Sequence, residues 1–511
     1  MKTRTHKALL GFVTDVGGVI AVSIIGFVAA PIILELTSRT LYGFWVTTIS
    51  ILGYLALTDL GLGMSLTRLV ATSASKGNSK ELNGIINTAF FVFCGIGILF
   101  FIIGISISSY IPSWFKIPKE ESVFVLSAYR LAIISGALAL PLSIFSAVVV
   151  GFQQMAIINI TKNIISIVSI GLSIILLNLG IGLVALPIAS LFVVIVGSIV
   201  SFIFAKKYFP KLKFSVSYFN KKDLKKLISF GGYFQLGRVA NTVALSSDNI
   251  VIAGSMNAGD VTPYTFTSKL PIIFSVTLAS KLPIAIFPAM TEMFANNEFE
   301  KLKQTYKRLT FFAVRLAFLG GALMFIANPQ FVKLWVGLEN YGGDFLNFVF
   351  VLWALFDTVY RGTTAVVYAS GDLKEWTIAS SIEAVLNIVL SLVLVSPFGL
   401  AGVALGTLIS KLLTTGFYMP YWVCRKLNMS IIYLIKKSII NPLVRSIPSI
   451  IITFIFAQNL SLNIGWLWLV FVGLTLIITN FFMFEGIVLA KSSKKSWKKK
   501  LRKLILMQEE Y

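Results

Sequence analysis

Histidine and cysteine are nearly missing from this chain: one histidine, His6, and two cysteines, Cys94 and Cys424, in 511 residues. A metal centre of His and Cys, or a histidine-centred catalytic triad, needs more than one chain of this composition supplies, so both are excluded. The dipeptide Gly-Lys never occurs, which removes the phosphate-binding P-loop and with it ATP-driven pumping by this chain alone. Both cysteines fall inside apolar stretches and read as small core residues. No cofactor is expected. Charge is scarce as well: Asp, Glu, Lys and Arg make up 13% of the chain, about half the share in an ordinary soluble domain. With 57% hydrophobic residues, a water-soluble fold would expose large apolar patches and aggregate.

What is there is a series of fourteen apolar stretches, at about 11–36, 41–66, 84–110, 122–150, 157–178, 181–205, 227–253, 264–290, 309–327, 345–369, 377–396, 399–421, 439–458 and 464–490. Each is long enough to cross a bilayer, which takes roughly 20 apolar residues in a helix. The expectation is an all-α integral membrane protein with about 14 transmembrane helices. The first stretch runs to Leu36, too long for the apolar part of a cleaved signal peptide, and counts as helix one. The stretches leave no room for a soluble catalytic domain. A membrane-embedded glycosyltransferase or polymerase would need a sizeable external loop carrying its acids and bases, and the longest external connection is about 328–344. The chain is therefore not expected to be an enzyme.

The net charge of +23 sits at helix ends rather than along one groove, which argues against nucleic acid. If the N-terminus with Lys2, Arg4 and Lys7 is cytoplasmic, most of the basic residues fall in connections on that side, including Lys206 to Lys226 and the tail from Lys491 to Lys503. The opposite side holds Arg39, Lys116, Lys119 and Lys333. Positive charge stays on the side where insertion begins, so both termini are expected inside. The basic tail would meet anionic headgroups.

Two landmarks recur. Leu41-Tyr-Gly-Phe44 is matched by Pro263-Tyr-Thr-Phe266 at an offset of 222, and Gly180-Ile-Gly-Leu-Val184-Ala-Leu by Gly399-Leu-Ala-Gly-Val403-Ala-Leu at 219. Such duplication is common in transporters. It divides the chain into a six-helix lobe at 1–205, a basic cytoplasmic linker at 206–226, a second six-helix lobe at 227–425, two further helices at 426–490 and a basic tail at 491–511. An even helix number per lobe implies parallel repeats.

Thr37–Ala71, with Leu-Tyr-Gly-Phe-Trp and Thr58-Asp-Leu-Gly-Leu-Gly-Met-Ser-Leu-Thr-Arg68, resembles the N-terminal signature of Wzx-type O-antigen and polysaccharide flippases. So do Tyr368-Ala-Ser-Gly-Asp-Leu, Asn387 and Phe398-Gly-Leu-Ala-Gly-Val-Ala-Leu-Gly-Thr. The wider superfamily also contains multidrug-and-toxin-extrusion antiporters and lipid II flippases. The resemblance implies a two-lobe fold with a central V-shaped cavity, and outward movement of undecaprenyl-pyrophosphate-linked sugars across the inner membrane. Polysaccharide polymerase and chain-length machinery would then be partners. A cation-coupled drug antiporter of the same fold is the alternative.

Ionisable residues inside the membrane are costly and mark cavities or pairs. The basic candidates for the cavity are Arg238, Lys281, Arg130, Lys411, Lys269 and Arg361. The acidic candidates, for gating or ion coupling, are Asp15, Asp59, Asp248, Asp357 and Glu383. Arg238 lies near mid-depth of its helix and is the leading candidate for a pyrophosphate, whose oxygens suit an Arg fork. At an offset of 222, Asp59 maps onto Lys281, and Asp15 maps within one residue of Arg238. Asp357 and Arg361 stand four apart and can pair on one helix face. Lys411 and Arg130 have no acid in their own helices that would neutralise them.

Overall fold

Long apolar runs with polar punctuation leave the backbone one economical solution in a bilayer, which is to satisfy its hydrogen bonds within helices. The computed structural model describes residues 2–54, 62–229, 232–460 and 465–482, and every regular element among them is helical. The principal helices are α1 (Lys2–Leu36), α2 (Arg39–Gly53), α3 (Leu62–Ser75), α4 (Ser79–Ile107), α5 (Ser122–Gly151), α6 (Met155–Asn178), α7 (Ala185–Tyr208) and α8 (Lys221–Ser229). They continue with α9 (Gly232–Ser255), α10 (Val261–Ile272), α11 (Lys281–Ala295), α12 (Phe299–Val336), α13 (Asp344–Ser370), α14 (Lys374–Lys411), α15 (Phe417–Lys426), α16 (Asn441–Asn459) and α17 (Trp466–Phe481).

Among the described residues, nine helical runs are long and apolar enough to cross a membrane, and α17 is a shorter apolar helix. One of the nine, 374–426, is bent in its middle: Gly399 takes φ 56 and ψ −135, a conformation closed to residues with a Cβ. This break separates the expected spans 377–396 and 399–421. Three other expected spans are absent from the nine for physical reasons. Span 41–66 is divided between α2 and α3, with residues 55–61 outside the described residues. Span 264–290 is interrupted by a π-helical segment, Ile273–Ala279, between α10 and α11. Span 227–253 is α9, diluted by Gln235, Arg238, Asn241, Asp248 and Asn249. The number fourteen therefore rests on the sequence pattern, whereas the all-helical membrane fold is evident in the structure.

Left-handed backbone positions punctuate the chain at a regular spacing. Gly77 and Asn297, Lys116 and Gly337, Gln153 and Gly371, and Gly180 and Gly399 all have positive φ, at separations of 220, 221, 218 and 219 residues. These spacings match the two sequence landmarks. Helix starts follow suit, with α2 beginning at Arg39 and α10 at Val261.

The described residues form two compact units, one of those up to Pro263 with 380–407, the other of 264–379 with those from Leu408 to Phe482. In the first, α1 packs on α6, α5 on α4 and α7, and α2 on α9. Its core joins Leu66, Val70, Ile85, Ile86, Phe93, Ile144 and Val148 with Leu212 and Leu227 of the connection after α7. In the second, α13 packs on α11 and α12, and α16 and α17 pack together and on α12. Outward faces stay apolar: Ile98 (60% exposed) and Ile102 (55%) on α4, and Val385 (66%) and Val393 (62%) on α14. Faces of this kind are stable only against lipid.

The connection after α7 is held down by amide side chains of α4. Asn83 Nδ2 donates to Lys211 O (3.0 Å) while its Oδ1 accepts from Lys213 N–H (2.9 Å). One turn on, Asn87 Nδ2 donates to Lys213 O (2.8 Å) and its Oδ1 accepts from Ser215 N–H (2.9 Å). Asn220 N–H donates to Thr88 Oγ1 (3.1 Å). The chain then enters α8, whose Lys226 ammonium is raised above its usual pKa by hydrogen bonds to Asp223 and Glu81.

Candidate functional site

In the second unit a carboxylate is buried between two cations. Asp357 and Arg361 are one turn apart on α13, so both project from the same face. Their Oδ2 and guanidinium nitrogens are 2.7 Å apart. Lys411, the last residue of α14, brings its Nζ to 3.1 Å from Asp357 Oδ1 and 4.9 Å from the centre of the Tyr360 ring. Ser275 Oγ also donates to Asp357. Ser275 lies in the π-helical segment that follows Pro271, whose ring removes a backbone donor and unsettles the α-helical ladder. A second π-helical segment, Leu412–Gly416, follows Lys411 directly. The irregular backbone in both places aims side chains that a straight α-helix would turn elsewhere.

The formal charges of these three side chains, two cations and one carboxylate, sum to +1. Asp357 and Lys411 are closed off, with 6% and 8% of their side chains exposed, whereas Arg361 keeps 25%. Arg361 is therefore the member that faces outward, and it lines a cavity of about 300 Å³ with Ser280, Pro283, Phe287, Thr364, Ala365 and Tyr368. The walls combine one guanidinium, three hydroxyls and two aromatic rings. Such a surface can hold an anion by its Arg fork and a sugar or lipid face by its rings.

The first unit holds a different polar centre. Ser247 Oγ donates to Asn387 Oδ1 (2.9 Å), and Asn387 Nδ2 donates to Thr407 Oγ1 (2.8 Å). Thr407 Oγ1 lies 3.0 and 2.9 Å from the two carboxylate oxygens of Asp248. Thr407 accepts from the amide and donates to the acid, so the chain of hydrogen bonds has one direction and ends on a carboxylate. Glu383, one turn before Asn387, is also buried.

The same unit is tied together where α2 begins. Arg39 Nε donates to Gly259 O (3.1 Å), its guanidinium lies 3.4 Å from Asp260, and Thr262 Oγ1 donates to Arg39 O (2.7 Å). Gly43 packs so tightly that a Cβ there would fall 1.9 Å from Ala258 O. Lys116 Nζ donates to Ser255 O (2.8 Å), and Ala258 N–H to Phe115 O (3.2 Å).

The remaining sequence candidates are dispersed. Arg130 is exposed on α5 and donates from Nε to Ser108 Oγ (3.2 Å). Asp15 is exposed on α1, and Lys269 and Lys281 are half-buried in α10 and at the start of α11. Asp59 lies outside the described residues. Arg238 belongs to α9, but its side chain also lies outside them. Reasoning from charged residues alone misses Ser275, Tyr360, Ser247 and Thr407, because only tertiary packing brings these ordinary helix residues to a charge.

The helical arrangement is one found in solved transporters. A multidrug resistance MATE family transporter of the MOP superfamily in its inward-facing conformation aligns with a TM-score of 0.60 at 17% identity, over 80% of this chain and 99% of that one. The lipid II flippase MurJ in an inward closed conformation aligns at 0.67 and 15% identity, over 92% of this chain and 100% of that one. At these identities the likeness is one of fold. Residues 11–294 match the polysaccharide biosynthesis protein family, and the chain belongs to it. Among its relatives are a putative O-antigen transporter of Shigella flexneri, 24% identical over 71% of this chain and 85% of that protein, and a putative O-antigen export protein of Yersinia pseudotuberculosis, 25% identical over 78% and 91%.

Proposed function

We propose that this protein is a flippase that carries an undecaprenyl-pyrophosphate-linked oligosaccharide, an O-antigen or capsule or exopolysaccharide repeat unit, from the cytoplasmic to the outer leaflet of a bacterial inner membrane by alternating access. The observation that carries this reading is the family match, extended by relatives named for O-antigen transport and export along most of their length. The cavity beside Arg361 supports it, since a guanidinium, hydroxyls and aromatic rings suit a phosphorylated glycolipid. Arg238 holds the pyrophosphate in this reading, with Lys281, Arg130, Lys269 and Arg361 as further cationic contacts; Lys411, expected among them, is closed off against Asp357 and holds that carboxylate instead. Asp15, Asp59, Asp248, Asp357 and Glu383 serve gating or ion coupling. The hydrogen-bonded chain onto Asp248 supports that role, because a change in the charge of the carboxylate would be transmitted to Thr407 and Asn387. Two six-helix lobes related by the repeat would supply the two states, with both termini cytoplasmic.

The test is reconstitution into liposomes with a fluorescent lipid-linked oligosaccharide and a glycosidase added outside. Protein-containing vesicles should expose the inner-leaflet pool to the enzyme over time, and protein-free vesicles should not. Equal protection in the two would overturn the proposal. A cation-coupled drug antiporter is the second reading, favoured by the likeness to the MATE transporter and by the buried Asp248. Uptake of an organic cation by the same vesicles, driven by an imposed ion gradient, would identify it.

A further inference from the structure

Eight lysines lie between Lys206 and Lys226, against the single acid Asp223. In the structure this stretch is neither a loose linker nor a core element. Leu212 and Leu227 are buried to 1% exposure in the core of the first unit, and the side chains of Asn83, Asn87 and Thr88 fix the backbone between them. Among the described residues, the acids that pair with it are Asp223 and Glu81, and both pair with Lys226. Lys207, Lys211, Lys213, Lys221, Lys222 and Lys225 are exposed. Between these lysines the strap shows apolar side chains to the outside: Val216 is 72% exposed, Phe214 39% and Phe219 39%. Phe214 is kept in place by edge contacts with Phe90 (5.2 Å) and Phe145 (5.9 Å). The strap starts at the end of α7 and rests on the first turns of α4, so it lies where apolar helices emerge from the bilayer.

A ledge fastened at that depth, with apolar tips set among exposed lysines, has the composition of a segment that lies in the interface of an anionic membrane. We infer that residues 206–229 form a docking ledge for anionic phospholipid headgroups of the adjacent leaflet, with Val216 and Phe219 dipping between the headgroups and the exposed lysines holding their phosphates. The ledge shares no residue with the charged cluster around Asp357, and it stands whether or not the transported molecule is the one proposed above. Charge complementarity favours lipid over a soluble partner, because a soluble acidic protein would gain nothing from apolar tips facing the acyl boundary.

The full chain, with Cys94→Ala, Cys424→Ala and Val216→Cys, would carry an environment-sensitive maleimide fluorophore at position 216. It would be reconstituted in phosphatidylcholine vesicles and in vesicles containing phosphatidylglycerol. The expected result is emission shifted to the blue and reduced quenching by aqueous iodide, both more pronounced with phosphatidylglycerol and both reversed toward the phosphatidylcholine values by salt. Replacing Lys211, Lys213, Lys221 and Lys222 together with Gln should remove the preference for phosphatidylglycerol, while the protein keeps its elution profile in detergent. A probe equally shielded in both membranes would overturn recognition of the headgroups. A probe open to iodide in both would overturn the ledge altogether and turn attention to a soluble partner. Asn83→Ala with Asn87→Ala should broaden the emission in both membranes, which distinguishes loss of the fixed ledge from loss of its charge.

Discussion

Asp357 shows how much a single buried carboxylate controls. Removing one partner of a buried ionic group typically destabilises by about 3–5 kcal/mol, because the charge left behind is neither solvated nor paired. Asp357→Asn strands two cations and should lower the unfolding midpoint in detergent more than Lys411→Met, which leaves Asp357 with Arg361 and Ser275. An equal effect of the two would show that the cluster does not act as a unit. Arg238 is argued on different ground, its place near mid-depth of the expected span 227–253 and its fit to phosphate; in the structure it falls in the second turn of α9. Arg238→Ala should abolish export of surface polysaccharide at unchanged protein level, with Arg238→Lys retaining part of it. Full export by the Ala variant would remove the residue from the mechanism. The pairing of Asp357 with Arg361 was legible in the sequence, since four residues is one helical turn. That of Lys411 with Asp357 was not, because residues 54 positions apart meet only when α13 and the end of α14 have packed. The same holds for Thr407: the sequence offers it as the end of the motif that begins at Phe398, but not its partner, which α9 brings to it as Asp248.

At the level of elements, the helices themselves follow from composition, and the departures from regular helix follow from particular residues. The break in α14 was announced by Gly399, which opens one of the repeated landmarks and adopts the positive φ that glycine alone accepts without strain. Gly399→Ala should therefore cost about 1–3 kcal/mol even though a Cβ there would meet only Met256 Cε, at an ordinary contact distance of 3.9 Å, read as a drop in the unfolding midpoint. The π-helical segments were not legible: Pro271 signals a disturbance, but whether the helix kinks or widens depends on what packs against it. Gly43 gives a sharper test. A side chain there displaces Ala258, so Gly43→Val should loosen the contact between α2 and residues 258–262. A cysteine placed at Val261, fully buried in the native packing, should then react several-fold faster with a water-soluble maleimide. Unchanged reactivity would mean that the close approach at Gly43 does not hold this contact shut to reagent.

For the whole molecule, the distribution of basic residues makes the strongest statement. Cysteines introduced singly at Lys211 and Gly342 in a background lacking Cys94 and Cys424 should label from opposite sides of the membrane, the first from the cytoplasm. The same sidedness for both would reject the fourteen-helix topology. Repeat spacing was legible because turns carry glycine and aromatic markers, whereas the grouping of 380–407 with the first 263 residues was not, since no local signal reports which helices pack together. The amide clamps on α4 carry a consequence for biogenesis. Asn83 and Asn87 find their partners 126–130 residues downstream, and a ribosome adding 5–20 residues each second needs roughly ten seconds to deliver them. During that interval four helices enter the membrane while the start of α4 waits with its amides in water. The helix is thus threaded first and fastened later, and a nascent chain arrested before Ser215 would present two asparagines as an unfinished seam at the membrane surface.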